Sequence, residues 1–276
     1  MILVRFLAGL KRLQRLSRRS NLGMISASIA FFGFLAIFPA IASIITIWGF
    51  AADSGIIRQQ VNLLHEFLPP DAFDLVNVQI EALLAAKPVQ LGWASLVSVA
   101  LALWSARAGV AALVHGLNAI YHLPDRSGVH HQALSLILTL TLVGTALTAL
   151  LASIVAPVVI AFLPLGPASA MALEAANVGL GLLLVVIGLA LAYRFGPNRP
   201  AGARTVLFTR GLLVAVILWA IVSRGFVVYL ANFSNYNQVY GSIGAVVAFL
   251  MWLYLSAYAV LLGAAVDADH ALRETA

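Results

Sequence analysis

Long apolar runs alternate with short polar segments along this chain, and this pattern predicts its fold. Each run is long enough to supply the roughly 20 helical residues that cross about 30 Å of hydrocarbon. We therefore predict an all-α, polytopic membrane bundle of six transmembrane helices, forming one integral membrane domain over residues 1–276. The six runs are Met24–Phe50, Leu91–Val114, Ala133–Leu163, Ala175–Tyr193, Val206–Leu230 and Tyr240–Val266.

Two segments outside these runs carry amphipathic patterns. Residues 1–23 form a basic leader in which apolar residues from Phe6 to Leu16 recur at helical spacing. This predicts an interfacial helix whose partners are membrane lipids, including anionic headgroups. Residues 51–90 contain two helical patterns separated by Pro69-Pro70, which predicts an amphipathic helical hairpin on the outer face. We interpret the hairpin as a packing lid over the helix ends, with a cap over a cavity as the alternative.

Composition supports the membrane prediction and orients the chain. With 62% hydrophobic and 9% charged residues, it has too little charge to coat a soluble globule, where roughly 25% is typical. If the chain crosses the membrane six times, 12 of its 16 Lys and Arg residues lie in segments on one side of the membrane and two lie in segments on the other side. The remaining two lie inside spans. Cations collect on the cytoplasmic side, which predicts a multi-pass membrane protein with both termini cytoplasmic. The pI near 10.1 then reflects topology and not a nucleic-acid partner.

A cleavable signal peptide is the competing interpretation of the first apolar run. The run is about twice the usual length of a signal-peptide apolar region, and the basic segment before it is long. We therefore expect Met24–Phe50 to remain in the protein as its first span.

Arg107 and Arg224 are the two cations deep inside predicted spans, the second and the fifth; Arg210, at the start of the fifth apolar run, is counted with the cytoplasmic segment. An arginine at the bilayer centre costs about 2.5–3.5 kcal/mol on insertion scales, and such residues face protein or water. No acidic residue lies deep in a span, so the candidate counter-ions are Asp267 for Arg107 and Glu174 for Arg224. The functional hypothesis is an electropositive cavity that contacts an anionic substrate or lipid headgroup. The alternative is that both arginines only snorkel or cap carbonyl groups.

A polar cluster joins the outer ends of the fifth and sixth predicted spans. It runs into Gly241–Gly244, whose small residues permit close approach and unusual backbone conformations. A re-entrant or substrate-facing turn therefore competes with a plain exposed turn. The candidate substrate or lipid contacts in this cluster are Asn232, Asn235, Tyr236, Tyr240 and Ser242.

Small residues four positions apart predict where helices pack closely. In lipid, helix association depends on van der Waals packing, and small side chains let two backbones approach. Proline within a span removes one backbone hydrogen bond, so Pro39 and Pro157 are predicted sites of bending. The small-residue pairs are Ser26 and Ala30, Ser105 and Gly109, and Gly241 and Ala245.

No residue pattern indicates catalysis, a cofactor or a metal. The chain has no cysteine, which removes disulfide and thiolate chemistry. His122, His130 and His131 follow the second span, but no ordered carboxylate set accompanies them. A solvated loop is therefore favoured over a zinc site.

Three stretches carry a family resemblance. They are Ser26–Pro39 (SASIAFFGFLAIFP), Trp104–Tyr121 with its SARAG and LNAIY elements, and Asn232–Ala265 with its YGSIGA element. In this order they resemble the YihY/BrkB family of bacterial inner-membrane proteins. The resemblance implies a six-helix membrane protein with a role in transport or export. The family tends to place Glu close to the position of Asp267, whereas this chain has Val266-Asp267 there.

The leading hypothesis is an inner-membrane transporter or exporter of an anionic or amphipathic solute. Arg107 and Arg224 would be its electrostatic contacts, with the 232–242 turn at the outer mouth. The alternative is a non-transporting membrane scaffold or envelope-maintenance factor, in which the arginines bind headgroups and the outer hairpin contacts a protein partner. A ribonuclease label has been attached to the resembled family, and this sequence offers no residues to support it.

Overall fold

Helices account for the regular structure of the computed structural model, and they follow the apolar runs of the sequence. The structure describes residues 2–51, 78, 88–125, 133, 136–145, 148, 167–200, 206–231 and 237–274. Its helices are α1 (Ile2–Arg19), α2 (Leu22–Ala51), α3 (Pro88–Ile120), α4 (Leu136–Thr145), α5 (Pro167–Phe195), α6 (Arg210–Ala231) and α7 (Asn237–Glu274). No strand occurs in these residues, so the all-α prediction is confirmed.

Five of these helices, α2, α3, α5, α6 and α7, contain a stretch long and apolar enough to cross a membrane. The predicted third span, Ala133–Leu163, is represented in the described residues chiefly by the ten residues of α4. Most of the predicted outer hairpin, residues 51–90, lies outside the described residues, as does Pro157. The total of six spans therefore stays a prediction.

The helix ends differ from the ends of the apolar runs for identifiable reasons. Helix α3 continues past its apolar run to Ile120, and α7 continues to Glu274, because helical hydrogen bonding does not stop where polar residues begin. The fifth apolar run starts at Val206, yet α6 starts at Arg210. The hydroxyl of Thr209 accepts a hydrogen bond from the Leu212 amide at 3.1 Å, so Thr209 is the N-cap that fixes this start.

The best-buried side chains gather at one end of the bundle, which we call the base. Helices α2 and α6 begin there, and α3 and α5 end there. Buried residues of all these helices and of α7 form one apolar cluster. Its largest members include Leu22, Leu117, Tyr193, Leu212 and Leu261. The base is therefore where five helices are fixed relative to one another.

Small residues bring α2 and α3 together, as two of the three predicted pairs require. Ser26, Ala30 and Ser105 are buried, and so is Gly109. A Cβ atom on Gly109 would lie 3.6 Å from a side-chain carbon of α2 and 3.9 Å from a backbone oxygen of that helix. In the third pair, Ala245 is exposed. Close helix approach is thus confirmed for α2 with α3.

Two glycines allow α6 and α7 to cross with their backbones almost in contact. A Cβ atom placed on Gly211 would lie 2.1 Å from the carbonyl oxygen of Gly263 and 2.5 Å from Cγ of Asp267. One placed on Gly263 would lie 2.4 Å from the Gly211 carbonyl oxygen and 2.6 Å from Cβ of Ala215. Neither distance leaves room for a carbon atom, so this crossing requires glycine on both helices.

The basic leader forms helix α1, which packs on the base. Leu13 and Leu16 lie against the buried cluster. The Ser17 hydroxyl is hydrogen-bonded to the Tyr258 hydroxyl of α7 at 2.8 Å, and the Ser20 hydroxyl donates to the Ala119 carbonyl of α3 at 3.3 Å. The leader is therefore helical, as predicted, and it joins the first helices to the last. Its contact with lipid headgroups remains a prediction.

Away from the base, large apolar side chains point outward. Trp93 has 73% of its surface exposed, and Phe38 and Ile221 also lie on the outside. A water-soluble protein rarely exposes a continuous apolar surface of this kind. Hydrocarbon is the solvent that fits these faces.

We predict that Gly211→Ala destabilises the protein by about 1–3 kcal/mol, the usual range for overpacking. The added methyl group would meet the backbone of Gly263, which cannot move aside as a flexible side chain could. The measurement is the thermal unfolding midpoint of purified protein in detergent. Gly225→Ala is the matched control, because its Cβ would meet nothing within 4 Å and helix propensity favours alanine. Equal midpoints for the two variants would contradict the assigned crossing.

Candidate functional site

A carboxylate of α7 lies at the first turn of α6. Asp267 Oδ1 accepts a hydrogen bond from the backbone amide of Gly211 at 2.6 Å, and Oδ2 accepts one from the Thr209 hydroxyl. The first amides of a helix have no partner within the helix, and its N-terminus carries a partial positive charge. Thr209 and Asp267 therefore satisfy these donors together and place a negative charge where the helix favours it.

A second polar network joins the end of α3 to the segment after α5. Asn118 is 1% exposed, and its amide is satisfied on both sides. Its Nδ2 donates to Asp125 Oδ1 at 2.9 Å, while its Oδ1 accepts from the Asn198 backbone amide at 2.7 Å. His115 Nδ1 lies 2.6 Å from the other oxygen of Asp125. A buried amide with both groups paired fixes one arrangement of the helix ends.

Tyr121 lies between these two networks. The guanidinium carbon of Arg199 is 4.7 Å from the centre of its ring, a cation–π contact. Burial raises the pKa of the Tyr121 phenol above its ordinary value; the Asp267 charge acts in the same direction and Arg199 opposes both. The phenol is therefore neutral at pH 7, and the base holds two opposite charges close to one half-buried ring.

Arg107 lies in the span of α3, well above the base. Val114 and Asn118 follow Arg107 by seven and eleven residues, so all three share one face of the helix. Val114 and Asn118 are buried. The Nε atom of Arg107 is also buried and, within the described part of the chain, has no hydrogen-bond partner. A cationic donor thus points into the bundle unsatisfied.

The predicted pairing of Arg107 with Asp267 is wrong, because the two residues lie at different levels. Helices α3 and α7 both run toward the base, and Gly116 lies against Leu261. Arg107 is nine residues before Gly116, and Asp267 is six residues after Leu261. At 1.5 Å per residue the separation is about 22 Å, beyond the reach of any side-chain contact. Both oxygens of Asp267 are engaged at α6 instead.

Arg224 is exposed on α6, 14 residues beyond its first residue, Arg210. It therefore lies about 21 Å from the base along the helix. The side chain of Glu174, its predicted counter-ion on α5, lies outside the described residues. That pairing stays a prediction, and so does the role of Arg224.

The outer polar cluster is described only in part. Asn232, Asn235 and Tyr236 lie outside the described residues, and only the backbone is described for Tyr240 and Ser242. That backbone is helical, because α7 begins at Asn237. Gly241–Gly244 therefore lies within a regular helix, and the choice between a re-entrant or substrate-facing turn and a plain turn stays open for the residues before Asn237. Asn232, Asn235 and Tyr236, and the side chains of Tyr240 and Ser242, remain predicted contacts.

An apolar groove runs between α6 and α7 on the outer surface. Its volume is about 400 Å³, and its walls include Phe226, Tyr229, Met251 and Trp252. The rings of Phe226 and Trp252 stack at 5.7 Å, and the Trp252 indole donates to the Ser223 hydroxyl at 3.2 Å. The groove is therefore an apolar surface of a size that suits an acyl chain or another apolar group.

Sequence reasoning missed several residues that build the base. Thr209 was detectable in part, because threonine is a preferred N-cap residue, although the apolar run starts three residues earlier, at Val206. Gly211 and Asn198 gave no comparable signal, because their importance depends on a partner far away in the chain. The described residues contain no group of three His, Asp or Glu side chains that could hold a metal; His130 and His131 lie outside them.

Long apolar helices, outward apolar faces and a cation within a span together define a multi-pass α-helical membrane protein. Comparison with known families gives the particular one. The family model described as virulence factor BrkB matches residues 13–276, and the chain belongs to this family.

The chain is also similar to individual proteins. The ribonuclease-like protein YfkH of Bacillus subtilis is 29% identical over 248 residues, which cover 88% of each chain. A UPF0761 membrane protein of Xanthomonas oryzae pv. oryzae is 44% identical over 85 residues, 31% of this chain and 20% of that protein. A UPF0761 membrane protein of Xanthomonas campestris pv. campestris is 46% identical over 74 residues, which cover 27% of this chain and 17% of that protein. No solved structure matches.

We predict that Asp267→Ala destabilises the protein by about 1–3 kcal/mol, because it leaves a buried Gly211 amide without an acceptor. Asp267→Asn should cost less, since it keeps one carbonyl oxygen and loses only the charge at the helix terminus. The measurement is again the unfolding midpoint in detergent. The control is Asp269→Asn on the same helix, whose 4.0 Å contact with Arg12 is at the distance limit of an ion pair and which should change stability less than Asp267→Ala does. An unchanged midpoint for Asp267→Ala would refute the capping role.

Proposed function

We propose that this protein is a transporter or exporter of an anionic or amphipathic solute. The observation that carries the proposal is the buried Nε of Arg107, a charged donor within a span with no partner in the described residues. Charged side chains in membrane spans mark solute pathways, because their desolvation is costly unless a partner or water is present. An anion passing through the bundle would supply the missing acceptor.

The contrast with the base supports this assignment. At the base, Asp267 and Asn118 have partners for both polar atoms of their side chains. Arg107 lies further along the same α3, and among the buried side-chain atoms without a partner in the described residues it is the charged one; the others belong to Ser26, Asn177 and Ser256. A purely structural arginine would be expected to donate to carbonyl groups nearby. An unfilled donor fits a site that is occupied only when a solute is present.

Two further features fit an amphipathic solute. Arg224 is exposed in the outer part of α6, and the apolar groove lies on the same helix pair. Arg224 does not line the groove, so the groove supports only the apolar part of such a solute. We propose Arg224 as the second electrostatic contact because it is a cation within a span.

We place the protein in the bacterial inner membrane with the base facing the cytoplasm. The leader cations lie on α1, which packs on the base. Arg194 and Arg199 lie where α5 ends. Cationic segments are retained on the cytoplasmic side during insertion. The polar turn that precedes α7 then lies on the opposite side.

Reconstituted protein should move at least one anion faster than protein-free liposomes do. The probes are inorganic phosphate, a dicarboxylate and a fluorescent lysophosphatidic acid. Arg107→Ala should reduce the flux of the transported probe about tenfold or more, since hydrogen bonds to charged groups contribute about 1.5–3 kcal/mol. Arg107→Lys, which keeps the charge, should retain part of the flux, and Lys11→Ala on the exposed side of α1 should retain all of it.

Flux is compared only among variants with the same unfolding midpoint, so that misfolding is not read as lost transport. Unchanged flux in both Arg107→Ala and Arg224→Ala would overturn the roles assigned to these arginines. No flux of any probe, together with a stoichiometric protein crosslinked through residues 51–90, would favour the membrane scaffold instead.

The proposed orientation is testable because the chain has no cysteine of its own. Val78→Cys in the predicted outer hairpin should react with a membrane-impermeant maleimide in intact spheroplasts. Pro200→Cys, at an exposed position after α5, should react only after permeabilisation. Labelling of Pro200→Cys in intact spheroplasts would reverse the assigned orientation.

A further inference from the structure

A basic cavity lies on the base between α1, the turn after α3 and the end of α7. Its volume is about 230 Å³, several times the roughly 30 Å³ that one water molecule occupies in the liquid. It is distinct from both Arg107 and the apolar groove. The residues around it are Arg12, Arg15, Leu16, Arg19, His122 and Asp269.

Three arginines of α1 face this cavity from one side of the helix. Arg12, Arg15 and Arg19 are separated by three and four residues, the spacing that aligns side chains along one face. Helix α1 cannot rotate freely, because Leu16 packs into the core and Ser17 is hydrogen-bonded to α7. The guanidinium groups are therefore presented together at a fixed place, unlike those of a mobile basic tail.

His122 enters the cavity from an uncommon backbone position. Its φ is 54°, and the amides of His122 and Leu123 donate to the Ala119 and Asn118 carbonyls at 3.4 and 2.9 Å. This is the Schellman ending of α3, in which the left-handed residue is usually glycine. Glycine would remove the steric penalty of that conformation. A histidine here instead places an imidazole on the wall of a cavity already lined by arginines.

The charges around the cavity do not balance. Arg12 lies 4.0 Å from the carboxylate of Asp269. Within the part of the chain that the structure describes, Arg15 and Arg19 have no acidic partner. Three guanidinium groups therefore face one carboxylate, which leaves two positive charges over. Guanidinium groups bind tetrahedral oxyanions through paired N–H donors.

We propose that this cavity binds a phosphate group, carried either by an anionic lipid headgroup or by a free phosphate compound. Arg15 and Arg19 make the main contacts, Arg12 is shared with Asp269, and His122 donates from the α3 turn. This site would hold its ligand at the base whether or not the protein transports a solute, and its test is independent of flux.

The test measures the unfolding midpoint of purified protein in detergent with three added probes: dihexanoylphosphatidic acid, inorganic phosphate and dihexanoylphosphatidylcholine. We expect phosphatidic acid to raise the midpoint at concentrations where phosphatidylcholine does not. Arg15→Gln combined with Arg19→Gln should weaken the apparent Kd about tenfold or more. Arg18→Gln is the matched control, because Arg18 is exposed on the same helix and does not line the cavity.

His122→Asn provides a variant that should fold normally, because asparagine also tolerates the left-handed conformation. It should weaken binding without changing the midpoint of the ligand-free protein. A shift with phosphatidic acid alone identifies a lipid headgroup, and an equal shift with inorganic phosphate identifies a free phosphate group. No shift with either probe, or equal binding by the Arg15/Arg19 and Arg18 variants, would overturn the proposal.

Discussion

The carboxylate of Asp267 at the first turn of α6 is the interaction on which the base depends. In lipid no hydrophobic force draws helices together, so their positions are set by close packing and polar contacts. The Gly211–Gly263 crossing brings α7 near enough for Asp267 to reach the α6 amides. The same carboxylate acts on the Tyr121 phenol, which stacks against Arg199. One acidic side chain thus relates the ends of α3, α5 and α6.

The polar groups of the molecule fall into two electrostatic classes. Inside the base, Asp267 and Asn118 have partners for both polar atoms of their side chains, and burial strengthens each contact because water does not compete. In the span, the buried Nε of Arg107 has no hydrogen-bond partner among the described residues. An unpaired charge in a medium of low dielectric constant is unfavourable, so it is tolerated where an acceptor arrives from outside. This difference separates the part of the protein that holds the helices from the part assigned to the solute.

The lengths of the apolar runs were sufficient to predict the five described spans, and apolar periodicity was sufficient to predict the leader helix. Both signals are local properties of the sequence. The small-residue pairs in α2 and α3 were also predictable, since close approach needs only small side chains on each helix. The Asp267 contact was not, because its partner depends on which helices are neighbours and at what height. The sequence placed Asp267 and Arg107 near each other, whereas helices running in parallel put them about 22 Å apart. The left-handed backbone of His122 likewise follows from the helix ending and not from residue type.

Contacts at the base join residues that are made at opposite ends of synthesis. Ser17 and Tyr258 are 241 positions apart, and α2 packs on both α3 and α7. Contacts of such high sequence separation form late, since the intervening chain must first be in place. The first helices therefore enter the bilayer before their partner α7 has been made, and translocon or lipid must cover their packing faces in the interval. The base closes only after α7 has been inserted.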